Sequence, residues 1–84
     1  MEKITLDKLC VGEWGRIEEL LAEGGMRRRM IDLGMVRGSR IECVGVSPAN
    51  DPCAYLLRGA VIAIRKKDAR SVVLCKMEVP DGTY

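Results

Sequence analysis

Three consecutive arginines, Arg27, Arg28 and Arg29, with Arg37 a short way beyond, are the densest group of chemically assertive side chains in this 84-residue chain. Guanidinium groups hold carboxylates and phosphates through paired N–H donors, so such a group suits contact with an acidic protein surface or a nucleotide-binding partner. The plainer role is a solvated helix face. Neighbours on a helix lie about 100° apart, so three in a row cannot share one direction.

Cys10, Cys43, Cys53 and Cys75 are the other reactive groups, and they form no CxxC pair. The chain has no histidine to complete a mixed site, so neither a metal nor a cofactor is signalled. Nothing at the N-terminus directs secretion, and reduced, buried thiols are expected rather than disulfides. Catalysis lacks its parts as well: there is no histidine for a triad or metal base and no glycine-rich phosphate loop between strand and helix. Gly12 and Gly15 read as turn glycines, and Asp51 beside Pro52 reads as a turn residue. A binding role without enzyme activity is expected.

Composition narrows the partners. A net charge of +2, from fourteen basic and twelve acidic residues, is too balanced to imply nucleic acid. With no Phe, one Trp and two Tyr, the chain lacks the aromatic platform for single-stranded nucleic acid and the aromatic groove for proline-rich peptides. Trp14 and Tyr55 are expected to pack. No apolar run approaches the roughly twenty residues that span a bilayer, so a soluble, intracellular protein is expected. Arg65, Lys66, Lys67 and Arg70 form a second basic cluster, suited to an anionic membrane surface or merely to keeping a strand end soluble.

The elements that must position these groups follow from periodicity. Met26, Met30 and Leu33 stand at i, i+4 and i+7, one apolar face of a short amphipathic helix. Gly34 should end it in a left-handed cap, Gly38 should turn the chain into a strand, and no good N-cap residue precedes it. Asp32 opposes the helix dipole in the last turn, so a compensating contact is expected there.

Around the helix the chain reads as strands. Ile4 to Gly12 is a first strand and turn; Trp14 to Leu21 is a twisted strand with Ile17 and Leu21 facing the core. Ser39 to Val46 alternates, with a bulge or bend at Gly45. Ser47 to Pro52 is a turn, and Cys53 to Arg58 and Ala60 to Arg65 flank Gly59 as a meander. Lys66 to Ala69 is expected as a 3₁₀ turn over Ala69, and Ser71 to Lys76 as a last strand with Val72 and Leu74 on one face. Residues 1–76 make one domain, and residues 77–84 an edge extension or tail. About five strands with one short inserted helix describe a mainly β, small, partly closed antiparallel β-barrel.

The chain resembles the FeoA-type proteins of bacterial ferrous iron uptake, whose domain is a small SH3-like barrel. The resemblance rests on Leu9 and Gly12, then Arg29, Met30, Asp32, Leu33, Gly34, Met35 and Gly38, then Asp51 and Pro52. It continues through Gly59, Ile62, Ala63, Ile64, Arg65, Asp68 and Ala69 to Val72 and Leu74. Met30 and Met35 stand where leucine is usual, and Arg37 stands where proline is common.

What the resemblance implies is a cytosolic accessory that binds the cytosolic part of the GTPase-coupled, FeoB-type ferrous iron permease, at the inner face of the inner membrane. The contact is expected through Arg27, Arg28, Arg29, Met35 and Arg37, and its sharpest form is an arginine finger for the permease GTPase. The same domain occurs in iron- or manganese-dependent repressors, but here it begins at Met1, which favours the transport accessory. A domain that itself binds or senses a transition metal, and a self-associating homo-oligomeric module, are the rival readings.

Overall fold

In the computed structural model, which describes residues 2–77, strands dominate. They are β1 (Glu2–Thr5), β2 (Trp14–Leu20), β3 (Arg40–Val46), β4 (Cys53–Leu57), β5 (Ala60–Ile64) and β6 (Val72–Lys76). Helix α1 (Gly24–Asp32) joins β2 to β3, and a single turn, α2 (Lys66–Ala69), joins β5 to β6. All six strands pair antiparallel in the order β1-β6-β2-β3-β4-β5, against the about five expected. The sheet does not close, and β1 and β5 are its edges. Of the expected edge extension or tail, residues 78–84 lie outside the described residues.

One face of the sheet carries the core: Leu6, Ile17, Ile41, Cys43, Tyr55, Leu57, Val72 and Leu74 are buried together. The first strand is shorter than expected because the chain tightens after Thr5 into a 3₁₀ turn over Leu6–Lys8, closed by the Leu9 N–H on the Leu6 carbonyl at 3.1 Å. Residues three apart eclipse in such a turn, and Leu6 and Leu9 both enter the core. Tyr55 is fully buried with its hydroxyl 3.4 Å from the Leu6 carbonyl, so its packing role holds.

Two bulges set which side chains face inward. Against β6, Ile17 opposes Leu74 and Glu19 opposes Val73, so Glu18 is an extra residue. One extra residue flips the alternation. Leu20 consequently packs on the core, whereas Leu21, expected there, is 52% exposed. The bulge expected near Gly45 is present, with Val44 inserted between Cys43 opposite Tyr55 and Gly45 opposite Ala54.

Gly15 is a strand residue rather than a turn residue. A Cβ there would lie 2.5 Å from both the Cys75 carbonyl oxygen and Leu74 Cδ1, so only glycine lets β6 approach. The turn over Ala69 is α-helical rather than 3₁₀, with the Ala69 N–H on the Arg65 carbonyl at 2.9 Å and the Arg70 N–H on the Lys66 carbonyl at 3.1 Å. Ala69 is buried beneath it as expected. Asp51 does more than make a turn: its Oδ1 accepts the Lys66 N–H at 3.0 Å and satisfies one of the orphan donors at the start of α2.

Candidate partner-binding surface

Helix α1 begins at Gly24, two residues before the apolar pattern, and Glu23 at its N-cap makes no side-chain capping bond. Its other end is well built. The Gly34 N–H reaches the Ile31 carbonyl at 2.9 Å and the Met35 N–H reaches the Met30 carbonyl at 3.0 Å, with Gly34 at φ +100°. This is a Schellman cap, and the two residues whose apolar side chains commonly accompany it, Met30 and Met35, are both buried in the core. Met35, expected at the contact surface, is therefore the anchor beneath it.

The apolar face expected of α1 is only partly a core face. Met30 is buried, but Met26 is 36% and Leu33 43% exposed. The helix lies over the sheet with one residue engaged, and its apolar flanks border a groove of about 190 Å³ that Arg29, Ala63, Ile64 and Asp68 complete. Across the helix a second groove, about 340 Å³, is bordered by Leu20, Arg27, Ile31, Val36 and Arg37. Ile31 and Val36 are also exposed.

The three arginines diverge as helix geometry requires. Arg27 donates from Nη1 to the Leu20 carbonyl at 2.8 Å and ties α1 to β2. Arg28 is exposed beside Ile31 and Asp32, while Arg29 borders the first groove. Asp32 makes no hydrogen bond or ion pair among the described residues, so the compensating contact expected for it is not formed.

Arg37 joins a different group. It borders an open groove with Arg16, Arg40 and Arg58, three arginines that one-residue patterns left unremarked because their meeting depends on strand register. Arg16 and Arg40 both lie over the Trp14 ring, at 5.6 and 5.0 Å from its centre.

The thiols divide. Cys43 and Cys53 are buried, and burial pushes the Cys43 thiol up; Cys75 is half-buried and Cys10, against expectation, exposed. Cys10 lies in the turn after Leu9, where the backbone N–H of Cys10 bonds to Glu13 Oε1. All four cysteines are free, and among the described residues no three Cys, Asp or Glu side chains converge on one point. No helix among those residues is long and apolar enough to cross a membrane.

Residues 4–74 match the family model of the FeoA domain. The chain belongs to the FeoA family. Over 69 residues it is 28% identical to the Fe(2+) transport protein A/Fe(2+) transporter FeoB fusion protein of Porphyromonas gingivalis, an alignment covering 82% of this chain. The chain spans only 8% of that relative's length. The solution structure of FeoA from Chlorobium tepidum superposes with a TM-score of 0.84 at 26% identity, over 95% of this chain and 76% of the other. FeoA of Stenotrophomonas maltophilia, solved with zinc and described as a prokaryotic SH3 domain protein, gives a TM-score of 0.77 at 25% identity, over 86% of this chain and 89% of that one. The six-stranded sheet with its inserted helix is thus the SH3-like fold of the family, and the family is linked to ferrous iron transport by the fusion.

Proposed function

We propose that this chain is an accessory module that binds the cytosolic part of a FeoB-type ferrous iron transporter and regulates or assembles it. The observation that carries this reading is the P. gingivalis fusion, in which a domain like this one and the transporter are one polypeptide. Covalent linkage raises the effective concentration of two modules, which is useful when they bind each other. On this reading the protein works at the cytoplasmic face of the membrane through its partner, and it contributes contacts rather than chemistry.

The surface that suits the contact is α1 and its flanks. Met26, Ile31, Leu33 and Val36 offer exposed apolar area, and Arg28 and Arg29 stand among them without an acidic partner among the described residues. Apolar area with interspersed arginine is the composition of an interface core rather than of ordinary surface.

Titration of the folded protein against the cytosolic GTPase domain of the transporter, with and without nucleotide and ferrous iron, tests the reading. Saturable binding that weakens in Arg28→Glu and Leu33→Asp is expected. No binding in any of these conditions would overturn it. A relative solved with zinc motivates a second reading, direct metal binding, and stoichiometric metal uptake in the same titration would favour it.

A further inference from the structure

Arg16 from β2, Arg37 from the α1–β3 loop, Arg40 from β3 and Arg58 from the β4–β5 turn meet along one open groove of about 540 Å³ that also includes Leu56. Arg16 and Arg40 are directly opposite in the β2–β3 register, a like-charge pair that disfavours pairing. The Trp14 ring lies within reach of both guanidinium groups, and the cation–π attraction offsets part of that repulsion.

Among the described residues, Arg16, Arg37 and Arg58 have no acidic partner. Glu42 takes Arg40 at 2.7 Å, while Arg16 Nη1 reaches only a carbonyl, that of Gly38, at 3.1 Å.

Arg58 is costly where it stands. It occupies φ +52° before Gly59 at φ +82° in a two-residue hairpin turn, where Asn, Asp or Gly is the usual first residue. Its stem lies against Gly34, so close that a Cβ on Gly34 would be 2.4 Å from Arg58 Cδ. The cap that ends α1 therefore also seats Arg58 beside the groove.

We propose that this groove receives an extended acidic segment of a partner protein, its successive carboxylates held by Arg16, Arg37 and Arg58. A single phosphate is the poorer match. The groove is open, the guanidinium groups come from four separate elements, and the Gly38 and Ser39 N–H groups that could cradle a phosphate are committed to the Ile17 and Val36 carbonyls at 2.7 and 3.0 Å. Carboxylates spaced along an extended chain match donors spaced along a groove. This groove shares Arg37 with the flank of α1 but does not include Arg28, so a titration with peptide alone separates the two surfaces.

The experiment titrates a short labelled peptide of alternating Glu and Ser, its Gln counterpart and inorganic tripolyphosphate into the folded protein at low salt, following anisotropy and backbone amide shifts. The Glu peptide is expected to bind, to move the Gly38, Ser39 and Gly59 amides, and to lose roughly tenfold in affinity in the Arg37→Gln/Arg58→Asn double variant. Asn accepts the left-handed turn position, so that variant keeps its fold. Arg28→Gln should bind as the parent does. No saturable binding of the Glu peptide, equal loss in Arg28→Gln, or tripolyphosphate shifting these amides where the peptide does not would each overturn the proposal.

Discussion

Replacing Gly34 by alanine should destabilise the protein although alanine is the better helix former. Gly34 sits at φ +100°, and a residue with a Cβ costs roughly 1–2 kcal/mol in the left-handed region. The new methyl would also fall 2.4 Å from Arg58 Cδ, which a flexible side chain relieves by swinging away. Against this, alanine restricts the unfolded chain, an offset of about 0.4–1 kcal/mol. The net loss is therefore about 1 kcal/mol, which lowers Tm by roughly 4–8 °C in a domain of this size. Gly25→Ala is the internal control. Gly25 lies inside α1 with open space where its Cβ would be, so the same substitution there should raise stability by up to about 1 kcal/mol. Thermal melts of the two variants followed by circular dichroism give the comparison. Shifts of the same sign, or a Gly34→Ala melt unchanged from the parent, would refute the assignment of Gly34 as the residue that lets the Schellman cap form.

The bulge at Glu18 predicts unequal costs for adjacent leucines: Leu20→Ala should cost about 1–2 kcal/mol in denaturant unfolding and Leu21→Ala within about 0.5 kcal/mol, and the reverse order would mean that the alternation continues unbroken. Glu13 accepts from Lys76 Nζ at 2.7 Å and from the Cys10 N–H at 2.9 Å, which hold its carboxyl below the ordinary 4.5. A depressed carboxylate stabilises the fold above its unfolded pKa and loses that contribution as pH falls through the folded one. The Tm gap between the parent and Glu13→Gln should accordingly be present at neutral pH, shrink below about pH 4.5 and diminish with added salt; a gap constant down to strongly acid pH would show that the ion pair is not its source.

What was legible in the sequence is what local stereochemistry decides. Gly34 marked the end of α1 because a left-handed cap needs no distant partner. Ser47 to Pro52 marked a turn for the same reason, and Ala69 being small enough to tuck under a turn was visible without knowing which kind of helix covered it. The Glu18 bulge was not legible, since the extra residue exists only relative to β6, at the far end of the chain. An unbroken alternation from Ile17 places Leu21 inside, and nothing between the two residues says otherwise. The arginine groove was hidden for a related reason: Arg16 and Arg40 each look like the solvent-facing member of an alternating strand until register sets them opposite one another.

The apolar stripe of α1 was legible as a stripe, but how much of it the core would cover was not. Periodicity says that Met26, Met30 and Leu33 share a face, and it is silent on whether the rest of the chain offers enough surface to cover that face. Here it does not. With β2 to β6 already paired and the core closed over Met30 and Met35, the sheet engages the middle of the stripe and leaves both flanks in grooves. In the accessory role proposed above, a partner would bury Met26, Ile31 and Leu33, which the fold leaves exposed. The Schellman cap and the Arg27 bond to Leu20 hold the helix in place without those flanks, which leaves Met26, Ile31 and Leu33 free for the contact proposed above.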